Sequence, residues 1–169
     1  MKLLTLVRHA KSSWKHPELN DFDRPLNNRG KRDLPHMASR MAAHHLEPDL
    51  VLSSGAARAM ATTNEICNYL QLSSEEIQVI PELYESCAET LMLVLQNIPD
   101  SYQHIMLVGH NPGLEHLNEI LSQSTLKKFP TAAYVHLHLS ITNWHELSAA
   151  CATMTLFDYP KMHSPARDN

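Results

Sequence analysis

Three places in the sequence pair residue types that together handle a phosphate group: Arg8-His9, Ser53-Ser54 followed at short range by Arg58, and Gly109-His110-Asn111. Two guanidinium groups can grip the oxygens of a tetrahedral dianion through charge-assisted, bidentate hydrogen bonds. The imidazoles can add a nucleophile and a further donor. A neutral imidazole nitrogen can attack phosphorus, and His9, directly beside Arg8, is the candidate nucleophile. Nearby arginines should disfavour its protonated form and keep it neutral near pH 7. His110 is then left to donate to the phosphoryl oxygens as charge builds on them in transit. The implied reaction is two displacements, phosphoryl to His9 and then water to phosphohistidine. It calls for no cofactor and no metal, because arginines can supply the positive charge a metal would bring.

Those residues can meet only if the chain carries them to one rim. The run Lys2 to Val7 is short, apolar and partly β-branched, and it stops at Arg8-His9, which predicts a buried strand ending in a functional loop. The polar stretch from Lys11 to Asn28, with Pro17, Asn20, Asp21 and Pro25, reads as a loop holding at most one helical turn. Leu34, Met37, Ala38, Met41 and Ala42 recur at three and four, which predicts an amphipathic helix over 28–46, with Pro35 bending it or marking its true start. Further strands are predicted over 49–53, 77–80 and 104–108, and further helices over 56–70, 88–97 and 112–122, the last with Pro112 at a favoured first position. Segments 134–141 and 149–157 close the series as strands paired antiparallel near an edge.

Strands separated by helices imply an α/β fold, a three-layer αβα sandwich around a mostly parallel sheet. Ligands of such sheets bind beyond the carboxyl ends of the strands, and the three motifs follow the first, second and fourth predicted strands. The amide ends of the helices after Ser54 and Asn111 add partial positive charge on the same side.

A chain of 169 residues, 43% apolar and 19% charged, suits one globular domain, expected over 1–158, with the polar, proline-bearing segment 159–169 as a mobile tail. Its net charge of −4 offers no overall field for nucleic acid, so any anion site must be local. No run is long and apolar enough for a membrane span, and Arg8 and His9 cut the apolar start too short for a secretory signal. Cys67, Cys87 and Cys151 are widely spaced with no CxxC pair, which suggests neither a disulfide framework nor a zinc knuckle and fits a reducing, cytoplasmic setting. His44-His45, His136 and His138 raise the question of metal binding. No Asp/Glu/His set of zinc-like spacing accompanies them, so ordinary surface or packed histidines are the favoured reading.

Leu6-Val7-Arg8-His9-Ala10 resembles the arginine-histidine-glycine signature of the histidine phosphatase superfamily. Ser54-Gly55-Ala56-Ala57-Arg58-Ala59-Met60-Ala61-Thr62 resembles that family's serine-proline-x-x-arginine-alanine-x-x-threonine segment, and Val108-Gly109-His110-Asn111-Pro112-Gly113 its second histidine motif. Chain length, Ala10 after the histidine, Asp23-Arg24-Pro25-Leu26 and Phe129-Pro130-Thr131-Ala132 bring the likeness nearest to the small phosphohistidine phosphatases of the SixA type, over about residues 2–160. Ala10 and Gly55 stand where larger relatives and most relatives, respectively, have Gly and Pro, and both can keep the local turn.

The resemblance implies a phosphoglycerate mutase-like fold and makes His9 the nucleophile, Arg8 and Arg58 the phosphate clamp, and His110 the second histidine. It puts Arg24 near the phosphate pocket, where the competing reading is a surface pair with Asp21 or Asp23. Many members protonate the leaving group with a carboxyl group at the spacing of Leu83-Tyr84-Glu85, so Glu85 is the candidate acid, Glu82 stands behind it, and a solvated loop carboxylate is the competing reading. Asn111 is either a substrate contact or, the favoured reading, the N-cap of the helix beginning at Pro112.

Mutase members of the family carry insertions that close over the substrate, and this chain has little length to build one. An open pocket favours a phosphorylated protein, through phosphohistidine, as substrate; a small phosphomonoester is the alternative. Neither nucleic acid nor a membrane is expected as a partner, and the sequence leaves the oligomeric state open. A binding module without turnover would call for a damaged nucleophile or clamp, whereas His9, Arg8, Arg58 and His110 are all present. A histidine-rich metal protein would lose its activity to a chelator.

Overall fold

Strand β1 (Lys2–Arg8) alternates Leu4 and Leu6 with Thr5 and Val7, and all four are fully buried. A strand buried on both faces requires a layer on each side. The computed structural model, which describes residues 1–163, supplies both layers. Leu4 and Leu6 share a core with Leu91 and Leu95 of helix α3 (Ala88–Gln96) and with Leu114 and Leu117 of helix α4 (Gly113–Ser122). Val7 shares the second core with Leu34, Met37 and Met41 of helix α1 (Asn28–Ala43) and with Ala59 and Ile66 of helix α2 (Ala57–Tyr69). Burying each such leucine or isoleucine is worth about 1.5–3 kcal/mol.

Strands β2 (Leu50–Ser53), β3 (Ile77–Val79) and β4 (His104–Gly109) run parallel to β1 in a six-stranded sheet ordered β3-β2-β4-β1-β5-β6. Strand β5 (Tyr134–Leu139) pairs antiparallel with β1, and β6 (Ala152–Asp158) pairs antiparallel with β5 at the edge. The expected three-layer α/β architecture and the antiparallel closing pair are both present.

The differences are local and have causes. Pro35 does not mark the start of α1, because Asn27 caps the helix by accepting the Gly30 amide at 2.8 Å and the helix runs through Pro35. The helix stops at Ala43 rather than at residue 46, and His45 takes a left-handed conformation, φ 55°, that turns the chain toward β2. Strands β5 and β6 are shorter than the apolar runs that predicted them, since the 3-10 turn Trp144–Glu146 and left-handed Ala150 occupy the connection. At the carboxyl end, Pro160–Met162 form another 3-10 turn, and the His163 imidazole bonds Asp158 and meets the His36 ring edge-on at a centroid distance of 5.5 Å. The segment set apart in the sequence as a tail therefore begins with a docked turn, and its remaining positions lie outside the described residues.

Candidate active site

Adjacent strands deliver the two histidines. The register pairs Arg8 of β1 with Gly109 of β4, so the residue after each strand emerges on the same rim, and the His9 and His110 rings lie 5.1 Å apart. On the far side of β4, the Ser54 amide continues the ladder to the Val108 carbonyl at 3.1 Å. The chain turns there into α2, whose first turn carries Arg58 back over the sheet end. Its Nε–H points at His9 Nε2, 3.4 Å away.

His9 is 7% exposed, and its Nδ1 lies 2.8 Å from the Ala10 carbonyl oxygen. A carbonyl only accepts, so the proton sits on Nδ1 and Nε2 keeps its lone pair. Burial, with smaller contributions from His110, Arg58 and Arg8 and against the raising effect of the hydrogen bond to the Ala10 carbonyl, lowers the His9 pKa to about 3. The neutral imidazole expected from the sequence is found, with a different leading cause: burial outweighs the arginines. Burial, followed by Arg58, likewise lowers the His110 pKa to about 4. His110 Nε2 lies 2.9 Å from Ser54 Oγ, while its Nδ1 is buried without a hydrogen-bond partner among the described residues. With the Ser54 hydroxyl donating to Nε2, Nδ1 carries the proton and can donate to an incoming oxyanion.

Arg58 is 6% exposed and holds Asp21 with two donors, Nη1 to the Asp21 main-chain oxygen at 2.7 Å and Nη2 to Asp21 Oδ2 at 3.0 Å. Together with the bond to His9, three of the five guanidinium N–H groups are engaged, which leaves two for phosphate oxygens. The Tyr84 hydroxyl donates to Asp21 Oδ2 at 2.5 Å, and this bond, ahead of the contacts with Arg58 and Arg24, holds the Asp21 carboxyl at a pKa of about 2. Asp21 is therefore an anion that orients cations rather than a proton donor.

Arg24 is 7% exposed, pairs with Asp21 at 3.2 Å, donates to the Ser13 carbonyl at 3.1 Å and lies 3.5 Å from the Trp14 ring centroid. The pairing with Asp21 posed as its alternative is present, between a buried guanidinium and a partly exposed carboxylate. Arg8 donates through Nη1 to the Phe129 carbonyl at 3.0 Å, and its Nε is buried without a partner among the described residues. Asn111 does not cap a helix. Pro112 occupies the cap position of α4, and the Asn111 amide instead donates to the same Phe129 carbonyl at 3.0 Å, with its Oδ1 buried and unpartnered among the described residues. Glu85 is exposed in a left-handed conformation, φ 52°, directly after Tyr84, whose ring stands edge-on to His110 at 5.5 Å. Glu82 is also exposed.

The family model of the histidine phosphatase superfamily (branch 1) matches residues 4–122. The chain belongs to the histidine phosphatase superfamily. An uncharacterised chloroplastic protein of Arabidopsis thaliana is 34% identical over 132 residues, 73% of this chain and 61% of that protein, so the chain spans about three fifths of that relative. A solved structure assigned as the phosphohistidine phosphatase SixA of Agrobacterium tumefaciens is similar at a TM-score of 0.80 and 30% identity, over 94% of this chain and 98% of that one. The protein histidine phosphatase SixA solved with tungstate gives a TM-score of 0.81 at 22% identity, over 96% and 99% of the two chains, which shows a shared fold.

In this histidine phosphatase, four further side chains complete the constellation. Ser54 sets the ring of His110, Thr62 ties Ala10 to Arg58, and Asp21 with Tyr84 holds the Arg58 guanidinium. Thr62 had a signal, since it lies four residues after Arg58 on one helix face. The sequence marks Asp21 only as a possible partner of Arg24, and Tyr84 only beside Glu85, so neither is marked as holding Arg58. Elsewhere, His44, His45, His104, His136 and His138 line one cavity of about 400 Å³ beyond the end of α1, and no group of three or more His, Cys, Asp or Glu among the described residues is placed to hold a metal ion. No helix among the described residues is long and apolar enough to cross a membrane.

Proposed function

We propose that this phosphatase works through a covalent phosphohistidine on His9 Nε2 and removes phosphate from phosphohistidine on a protein, without a metal. The observation that carries the reading is the His9 tautomer: Nδ1–H donates to the Ala10 carbonyl, and the lone pair of Nε2 faces the clamp formed by Arg58.

In the first displacement, Nε2 gives up its bond from Arg58 Nε–H and attacks phosphorus, the P–N bond of the substrate breaks, and the imidazole departs neutral, its other ring nitrogen carrying a proton taken from solvent. Arg8 and Arg58 bind the phosphoryl oxygens, and His110 Nδ1–H donates to them as the charge moves. In the second, water attacks the phosphorus, the Nε2–P bond breaks, orthophosphate leaves and His9 returns neutral. Arg24 supports the clamp through Asp21, and Asn111, whose Oδ1 is buried without a partner among the described residues, is assigned to substrate binding. A protonated imidazole is a good leaving group, so phosphohistidine makes no strong demand on an acid. Glu85, exposed and directly after Tyr84, would serve a phosphate ester, whose oxygen needs one. That position is what favours a small phosphomonoester as the second reading.

The likeness at 30% identity to a protein assigned as a phosphohistidine phosphatase supports the substrate class. The tungstate that a similar fold binds supports a tetrahedral oxyanion in the pocket. The test is an early quench of wild type and His9→Ala mixed with a labelled phosphohistidine protein. An acid-labile, alkali-stable label is expected on the wild type alone, and an equally active His9→Ala would overturn the covalent step. Glu85→Gln should slow an ester much more than phosphohistidine, and equal slowing would overturn the leaving-group argument.

A further inference from the structure

Beside the histidines, on the other side of Arg8, lies a cleft of about 390 Å³ whose charge is one-sided. Arg8, Lys11, Arg29, Lys127, Lys128 and Lys161 line it, and no carboxylate does. Of these, Arg29 pairs with Asp33 at 3.7 Å, whereas Lys11, Lys127, Lys128 and Lys161 form no ion pair with any described residue. In a chain of net charge −4, where carboxylates outnumber lysines and arginines, a cleft gathering unpaired lysines is a local exception. Like charges held together repel and cost stability, so such a cluster is matched to an anion that arrives from outside. The floor is apolar, formed by Pro130 and by Phe157 and Tyr159, whose ring centroids lie 5.4 Å apart. Arg8 belongs to both places, since its guanidinium lines the cleft while its charge bears on His9 and His110.

We infer that this cleft selects the protein substrate by binding an acidic segment next to the phosphorylated residue, with Lys127, Lys128 and Lys161 as the specificity-determining cations. The inference rests on the proposed action upon a phosphorylated protein side chain and adds which side chains: those flanked by Asp or Glu. The geometry sets the range. An extended chain advances about 3.3 Å per residue, so a cleft that starts at Arg8 is reached by acidic residues a few positions from the phosphohistidine. The apolar floor accommodates the aliphatic stems and backbone of such a segment, while the exposed lysines at the rim meet its carboxylates.

The experiment compares two synthetic phosphohistidine peptides, identical except that the residues flanking the phosphohistidine are Glu in one and Gln in the other. Initial rates are measured for the wild type and for the triple variant Lys127→Glu/Lys128→Glu/Lys161→Glu, with a small aryl phosphate as the third substrate. For the wild type at low salt we expect kcat/KM about tenfold higher for the Glu peptide, the order that three screened, exposed pairings supply. The preference should fall toward unity in high salt and vanish or invert in the triple variant, with aryl phosphate hydrolysis unchanged. Equal kcat/KM for the two peptides in the wild type would overturn the inference while leaving phosphohistidine hydrolysis standing. Hydrolysis of the aryl phosphate with neither peptide cleaved would instead overturn the proposed substrate. A preference for the Glu peptide that survives in the triple variant would place the recognition outside this cleft. Circular dichroism and the aryl phosphate rate report whether the triple variant is folded.

Discussion

The Ala10 amide donates to Thr62 Oγ1 at 3.0 Å, and the same hydroxyl donates to the Arg58 carbonyl at 2.7 Å. One side chain thus joins the loop that orients His9 to the helix turn that carries the clamp. Both Ala10 and Thr62 are fully buried, so neither bond can be replaced by water. Thr62→Val keeps the shape and removes both bonds, leaving the Ala10 amide unsatisfied. The expected loss is about 1–3 kcal/mol of stability, read as a shift in the urea unfolding midpoint, together with a fall in kcat. Thr62→Ser should recover most of both, and a Thr62→Val enzyme of normal stability and rate would remove Thr62 from the site.

Asp21 presents the opposite case, a negative charge placed beside the guanidinium that is proposed to bind phosphate. Asp21→Asn removes that charge and keeps the main-chain oxygen that Arg58 Nη1 already bonds. Orthophosphate should then inhibit several-fold more tightly at low ionic strength, and the gain should shrink in high salt. Weaker inhibition by phosphate would mean that the orientation of Arg58 by the carboxylate outweighs the charge it contributes.

Much of this was legible because β1 carries its own signal: apolar on both faces, then abruptly Arg8-His9. The strand–helix alternation implied a parallel sheet, but only the observed order and register, with β1 beside β4, bring His9 next to His110. The partner of Arg58 was not legible. Asp21 and Asp23 are equivalent in sequence, and only the 3-10 turn Asp21–Asp23, capped by Asn20, decides which one faces Arg58, 37 residues away. The partner of Asn111 was not legible for a related reason: it is a main-chain carbonyl at Phe129, and a carbonyl has no sequence signature. Burial as the main influence on His9 was hidden as well, since a sequence displays neighbouring charges but not the protein packed around them.

The second histidine cluster gives a prediction about pH. Thr5 Oγ1 bridges His104 Nε2 and His136 Nδ1, each at 2.8 Å, and burial, followed by the neighbouring histidines, lowers both pKa values to about 4. In the unfolded chain these imidazoles take up protons near pH 6.5, whereas the folded ones resist until about pH 4. Between those values the unfolded state binds more protons, so stability falls as the pH falls, by on the order of a few kcal/mol for the pair. Urea unfolding from pH 7 to about pH 4.5 should show this slope in the wild type and a shallower one in His104→Gln/His136→Gln. Identical slopes would mean that other groups control the acid sensitivity.

Two glycines separate motif from packing. Gly109 belongs to the second histidine motif, yet a Cβ there would meet nothing closer than a Leu107 methyl at 3.5 Å. Gly30 belongs to no motif, and a Cβ there would fall 2.2 Å from the Lys11 carbonyl oxygen, in the first turn of α1. Backbone cannot rotate away as a flexible side chain can, so α1 or the loop after His9 must shift. That loop contains Ala10, whose carbonyl fixes the His9 tautomer, so the displacement reaches the proposed nucleophile. Gly109→Ala is accordingly expected to keep near-normal stability and turnover, while Gly30→Ala loses about 1–3 kcal/mol and much of kcat. Thermal unfolding and steady-state rates on the two variants check the contrast. The reverse order of damage would mean that close packing of α1 against the Lys11 backbone does not hold the His9 loop in place.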